Sequence, residues 1–111
     1  MQLRPDKPWI PLTAEAVARL PGQLGVYQIA DADGAVVHIG YAGGHARFGL
    51  RSALEQELAA RPEGHTFRVE INMQYMTRYQ ELLMLHQADT GSLPRDNAAN
   101  PPPRLGRLSP R

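Results

Sequence analysis

Gly25-Val26-Tyr27-Gln28-Ile29-Ala30-Asp31-Ala32-Asp33-Gly34-Ala35-Val36-Val37-His38-Ile39-Gly40 is the stretch on which the fold turns. Its first six residues alternate apolar with other side chains, the period of a strand. Asp31 to Gly34 supplies a turn whose Asp-Gly pair tolerates positive φ. Ala35 to Gly40 then returns as a second strand. The spacing predicts an antiparallel hairpin in which Gly25-Val26-Tyr27 opens one strand and His38-Ile39-Gly40 closes the other. These tripeptides fall at the same end of the ladder, so Tyr27 and His38 can present their side chains to one site.

Working outward, Leu50, Leu54 and Leu58 recur at i, i+4, i+8, which predicts an amphipathic helix from about Phe48 to Ala60, ended by Pro62 and Gly64. Thr66 to Met73 alternates with Phe67, Val69, Ile71 and Met73 on one face, a third strand. A last helix from Met76 to about Asp89 carries Tyr79, Leu82, Leu83 and His86 inward and stops at Gly91. Upstream of the hairpin, Thr13 can cap a short helix from Ala14 to about Leu20, halted by Pro21-Gly22. The expected fold is α/β (α+β), in the order α-β-β-α-β-α: a three-stranded antiparallel sheet with flanking helices. Residues 1–12 form a Pro-rich arm around Trp9, residues 13–97 the domain, and residues 98–111 an extended or disordered tail rich in Pro and Arg.

With 111 residues there is material for one core. No apolar run approaches the roughly 20 residues of a membrane helix, and no signal-peptide stretch follows the basic N-terminus, so the expectation is a soluble, cytoplasmic protein without a membrane partner. The absence of cysteine excludes disulfides and thiolate metal sites. The net charge is +1, but Arg104, Arg107 and Arg111 all lie in the tail, leaving the body slightly acidic. Charge alone therefore does not support a nucleic-acid partner, which normally needs clustered Lys and Arg. Composition does not indicate an oligomeric state.

The two Gly-bounded tripeptides, followed by a helix, a third strand, a helix with Glu81 and a late Asn97, resemble the GIY-YIG nuclease superfamily across residues 22–97. Histidine stands where the second tripeptide of that family begins with tyrosine. The resemblance implies an endonuclease that hydrolyses phosphodiesters of DNA or RNA with one divalent ion, Mg²⁺ or Mn²⁺. Carried over residue by residue, Glu81 holds the metal, Tyr27 orients or deprotonates the attacking water, and an arginine binds the scissile phosphate. The family's Leu-x-x-Arg-Leu, laid over Leu50 to Leu54, puts Ala53 at the arginine position, so Arg51 or Arg47 is the substitute. His38, with an unperturbed pKa of ~6.5, is suited to act as a base, and its presence equally fits a member that has lost catalysis. Gly40 and Tyr41 belong to the substrate side, and Asn97 either contacts substrate or fixes the return of the tail onto the body. The alternative implied function is a catalytically inactive domain of this type that binds nucleic acid or a protein.

The plainer chemistry of each residue points elsewhere. Glu81 sits three positions after Arg78 on a mixed helical face. Arg51 and Glu55 are spaced for a surface ion pair. His86 reads as a satisfied core histidine, and no cluster has zinc-site spacing.

Overall fold

A computed structural model describes residues 7–44 and 46–99. Its elements in chain order are β1 (Ile10–Pro11), α1 (Ala14–Ala18), β2 (Gly25–Ala30), β3 (Val36–Ala42), α2 (Gly49–Ala60), β4 (Thr66–Ile71), α3 (Tyr75–Thr90) and α4 (Arg95–Ala99). The sheet has four strands in the order β1-β4-β2-β3, all antiparallel. The expected three strands are therefore joined by a fourth at the edge. Ile10 and Pro11 of the N-terminal arm pair with Phe67 and Thr66, and a proline is tolerated there because an edge strand needs only one side of its ladder. The second departure from expectation is α4, a short helix begun just after Pro94, whose carbonyl accepts the N–H of Ala98. The expected tail from residue 100 onward lies outside the described residues.

Local signals explain the remaining boundaries. Thr13 Oγ1 accepts the N–H of Ala16 and starts α1. Asp31 Oδ1 accepts the N–H groups of Asp33 and Ala35, and Gly34 takes φ 87°, closing the hairpin. Gly91, at φ 89°, ends α3 in a left-handed cap.

Each face of the sheet has its own core. On one face, Tyr27, Ile29, Val37 and Phe67 pack against Val17 and Leu20 of the α1 region and Leu50 and Leu54 of α2. On the other, Val26 and Ile39 pack against Tyr79, Leu82 and Leu83 of α3. The alternation of Val26, Tyr27 and Ile29 along β2 thus feeds two layers, and every residue of this central strand is buried. Ile29 pairs with His38 and Ala30 with Val36, so Val37 is an extra residue in β3. This bulge lets the consecutive residues Val37 and His38 both face α2. It therefore aims His38 at Glu57 of α2.

Candidate functional site

The hairpin brings Tyr27 and His38 together. Their register partners are Gly40 and Ile29, positions of equal parity, so both side chains point to the α2 face. The ring centroids lie 5.8 Å apart and Tyr27 Oη is 3.5 Å from His38 Nε2. Gly40 is required by this arrangement, because the Tyr27 ring lies directly across it and a Cβ there would collide with Cζ and Oη. Its role is to admit the ring rather than a ligand.

The carboxylate that meets this pair is Glu57 of α2. Tyr27 donates its hydroxyl proton to Glu57 Oε2 at 2.6 Å, and His38 Nε2 lies 3.3 Å from the same oxygen. Arg61, at the end of α2, donates to Glu57 Oε1 at 2.7 Å and lies 2.8 Å from Asp96 Oδ2 of α4. Burial, reinforced by the charge and hydrogen bond of Glu57, pushes the Tyr27 hydroxyl well above its ordinary pKa. Tyr27 is consequently a proton donor here and not a ready base. Burial lowers the pKa of His38 against the opposing pull of Glu57, so the ring is neutral at pH 7. Burial disfavours the charge of Arg61, but its bonds to Glu57 and Asp96 outweigh that and raise its pKa. Asp96 is lowered because its bonds to Arg61 and Arg95 overcome its own burial.

His38 Nε2 faces Glu57, while Nδ1 is buried without a hydrogen-bond partner among the described residues. A proton on Nε2 serves the contact to Glu57, which leaves Nδ1 as the free lone pair, in a place with no solvent access. Tyr27, 6% exposed, is equally enclosed. As it stands the cluster satisfies itself instead of presenting a base to water.

The other residues singled out from the sequence are dispersed. Glu81 lies on α3, across the sheet from Tyr27 and His38, and is ion-paired to Arg78, which also binds Glu70. The near-buried guanidinium of Arg78 already occupies the place between these two carboxylates that a cation would take. The described residues contain no group of three or more potential metal-ligating side chains. These residues do not fit a divalent-metal centre built from Glu81 with Tyr27. Tyr41 also faces α3, stacked on Tyr75 and edge-on to Tyr79. Asn97 is buried and bonds the backbone of Ile39 twice, accepting its N–H at 2.8 Å and donating to its carbonyl at 2.9 Å. In effect it completes the outer edge of β3 with a side-chain amide.

Arg47 and Arg51 lie at the opposite end of α2 from Arg61. Their guanidinium carbons are 5.2 and 5.6 Å from the ring centroid of Phe48, which is 46% exposed. Arg51 donates Nε to the carbonyl of Leu20 rather than pairing with Glu55, and neither arginine has an ion pair among the described residues. Exposed Arg19 adjoins Leu20. The first turn of α2 contains no acidic residue and its cap position no side-chain cap bond, so the positive end of the helix dipole adds to the arginines. The chain turns here because Gly49, at φ 56°, fits against the backbone of Gln23, where any side chain would collide.

Residues 1–89 match a family described as a domain of unknown function, DUF7508. The chain belongs to that family. The DUF7508 match covers the whole sheet, Tyr27, His38, Glu57, Arg61 and the Phe48 surface, and ends within α3, so Asp96 and Asn97 lie beyond it. No curated protein and no solved structure matches the chain.

Two parts of this picture escaped the sequence reading. Glu57 and Arg61 continue the Leu50–Leu54 stripe by three and seven positions, so a charged pair on the inward face of α2 was the available signal. The spacing of the sequence makes Phe48 the start of a helix, whereas the structure makes it a surface aromatic between two cations.

Proposed function

We propose that this DUF7508 domain is a non-catalytic nucleic-acid-binding module that holds single-stranded DNA or RNA on the surface formed by Arg19, Arg47, Phe48 and Arg51. The observation that carries this reading is Phe48, a half-exposed aromatic ring flanked by two guanidinium groups that no carboxylate among the described residues neutralises. An unpaired base stacks on such a ring, a contact worth about 1–3 kcal/mol, while the arginines take adjacent phosphates. The helix dipole of α2 favours the same anions. The local cluster matters more than the net charge, and four of the acidic groups of the body, Glu57, Asp96, Glu70 and Glu81, are paired with Arg61 and Arg78 away from it.

The test is fluorescence anisotropy of a labelled single-stranded oligonucleotide across a salt series. Binding should weaken as salt rises, and Arg51→Ala should reduce the slope of log K against log salt by roughly 0.7, the single-strand value per phosphate contact. An unchanged slope in Arg47→Ala and Arg51→Ala would remove this surface from the account.

A second reading, phosphodiester hydrolysis of the GIY-YIG type with Mg²⁺ or Mn²⁺, is favoured by the meeting of Tyr27 and His38 with Glu57 and Arg61. It requires the Tyr27–Glu57 bond to open before either residue can act on water, and it transfers the carboxylate role from Glu81 to Glu57. Metal-dependent cleavage that is lost in Glu57→Gln but kept in Glu81→Ala would favour it over the binding module.

A further inference from the structure

Under α3, on the face of the sheet away from Tyr27, lies a cavity of about 210 Å³. A dry cavity of roughly 150 Å³ holds benzene, and sites for drug-sized ligands start near 300 Å³, so this space suits one substituted six-membered ring. Val36, Leu82 and Leu85 give it aliphatic walls. Two polar groups in its lining have bonding capacity left over. Gln28 is 6% exposed, and its Oε1 is fixed by Arg68 Nε at 2.6 Å. Its amide nitrogen has no partner among the described residues. His86 lies with Nδ1 3.0 Å from the carbonyl of Ser92. A carbonyl only accepts, so the proton is on Nδ1 and Nε2 carries a free lone pair in the neutral ring.

That amide nitrogen is not among the buried unpaired atoms, so it meets solvent in the cavity, where a ligand carbonyl can replace water as its acceptor. The rim supplies one cation, Arg68, and one anion, Asp89, both with interactions of their own, so it calls for no net ligand charge. We propose that this cavity binds a small neutral heterocycle with a lactam edge, of the size of a pyrimidine base. The ring carbonyl accepts from Gln28 Nε2 and the adjacent ring N–H donates to His86 Nε2, with the flat faces against Leu82 and Leu85. The site is separate from the Phe48 surface, since one lies on the α3 face and the other at the N-terminal end of α2. It stands or falls independently of the binding reading above.

The test is a ¹H–¹⁵N NMR titration of the full chain with uracil, with 1,3-dimethyluracil, which lacks the ring N–H, as the control. Uracil should shift the Gln28 side-chain NH₂ signals and the amides of Leu82, Leu85 and His86, and the dimethyl compound should bind ~tenfold more weakly, the worth of one hydrogen bond. Leu85→Phe, which fills the cavity, should abolish these shifts. If that variant loses its dispersed spectrum, Gln28→Met, which removes the donor at similar volume, is read instead. A parallel titration with a short oligouridylate separates the sources: the same signals moving identifies a base carried by a strand, and movement with free uracil alone identifies a free small molecule. No shift with millimolar uracil, or equal binding of uracil and its dimethyl derivative, would overturn the proposal.

Discussion

Arg51 and Arg61 sit at the two ends of one helix, α2, in opposite surroundings. Arg61, where the helix ends, lies between Glu57 and Asp96 and is largely covered. Arg51, in the first turn, has a carbonyl oxygen and an aromatic ring for company and, among the described residues, no carboxylate. A cation at a helix C-terminus is favoured by the dipole, whereas one at the N-terminus is disfavoured by it. The C-terminal end of α2 is therefore a closed fastening, tying the helix to Tyr27, His38 and α4. At the N-terminal end positive charge is left without a carboxylate partner among the described residues, an arrangement that favours an anion. Side chains that resemble catalytic machinery belong to the closed end, and the proposed binding surface lies at the open one.

Arg61→Ala should break this contrast most severely. It leaves Glu57 enclosed without its counter-charge, which costs about 3–5 kcal/mol for a fully buried pair, and the partial exposure of Asp96 brings the expected loss of unfolding free energy to roughly 2–3 kcal/mol. Chemical denaturation reads this directly. Arg51→Ala, at the other end of the same helix, removes a half-buried side chain with one bond to a carbonyl and should cost only about 1 kcal/mol. Equal losses in the two variants would erase the distinction between the ends.

A smaller effect is expected with pH. His38 is held neutral by burial, so its pKa in the folded chain is below the ordinary value. Above ~6.5 both folded and unfolded chains carry it neutral and its contribution is fully present. As pH falls below that value the unfolded chain gains the proton first, and stability is lost until the folded pKa is passed. Denaturation midpoints measured from pH 8 down to 5 should fall in the wild type and stay flatter in His38→Gln. Asp96, whose pKa is also lowered, adds its own loss only below the ordinary carboxylate range.

Much of the fold was legible because it rests on period and punctuation. The alternation from Gly25 and from Thr66, the leucine stripe of α2, the cap at Thr13 and the stop at Gly91 each place an element near its observed bounds. What escaped is short or depends on tertiary partners. β1 has two residues, too few for a period, and exists because β4 offers an unpaired edge. Pro94 reads as a breaker, yet proline also starts helices, and the return of α4 is fixed by Asn97 against a strand 58 positions earlier. The bulge at Val37 has no local signature, so the sequence brings Tyr27 and His38 to one end of a hairpin without showing what else they face. The hairpin did carry the pairing of those two residues. The carboxylate expected beside them, Glu81, is across the sheet, because α3 covers the face of Val26 and Ile39.

The central claim is that the Tyr27 cluster builds the domain while the Phe48 surface binds. A paired comparison of Phe48→Ala and Tyr27→Phe, with stability by denaturation and affinity for a single-stranded oligonucleotide by anisotropy, addresses it most directly. The account predicts that Tyr27→Phe loses about 1 kcal/mol of stability through its missing bond to Glu57 and keeps its affinity. Phe48→Ala should remain folded with little change in stability and bind more weakly by about 1–3 kcal/mol. Undiminished binding by Phe48→Ala, together with a loss of binding in a folded Tyr27→Phe, would contradict it.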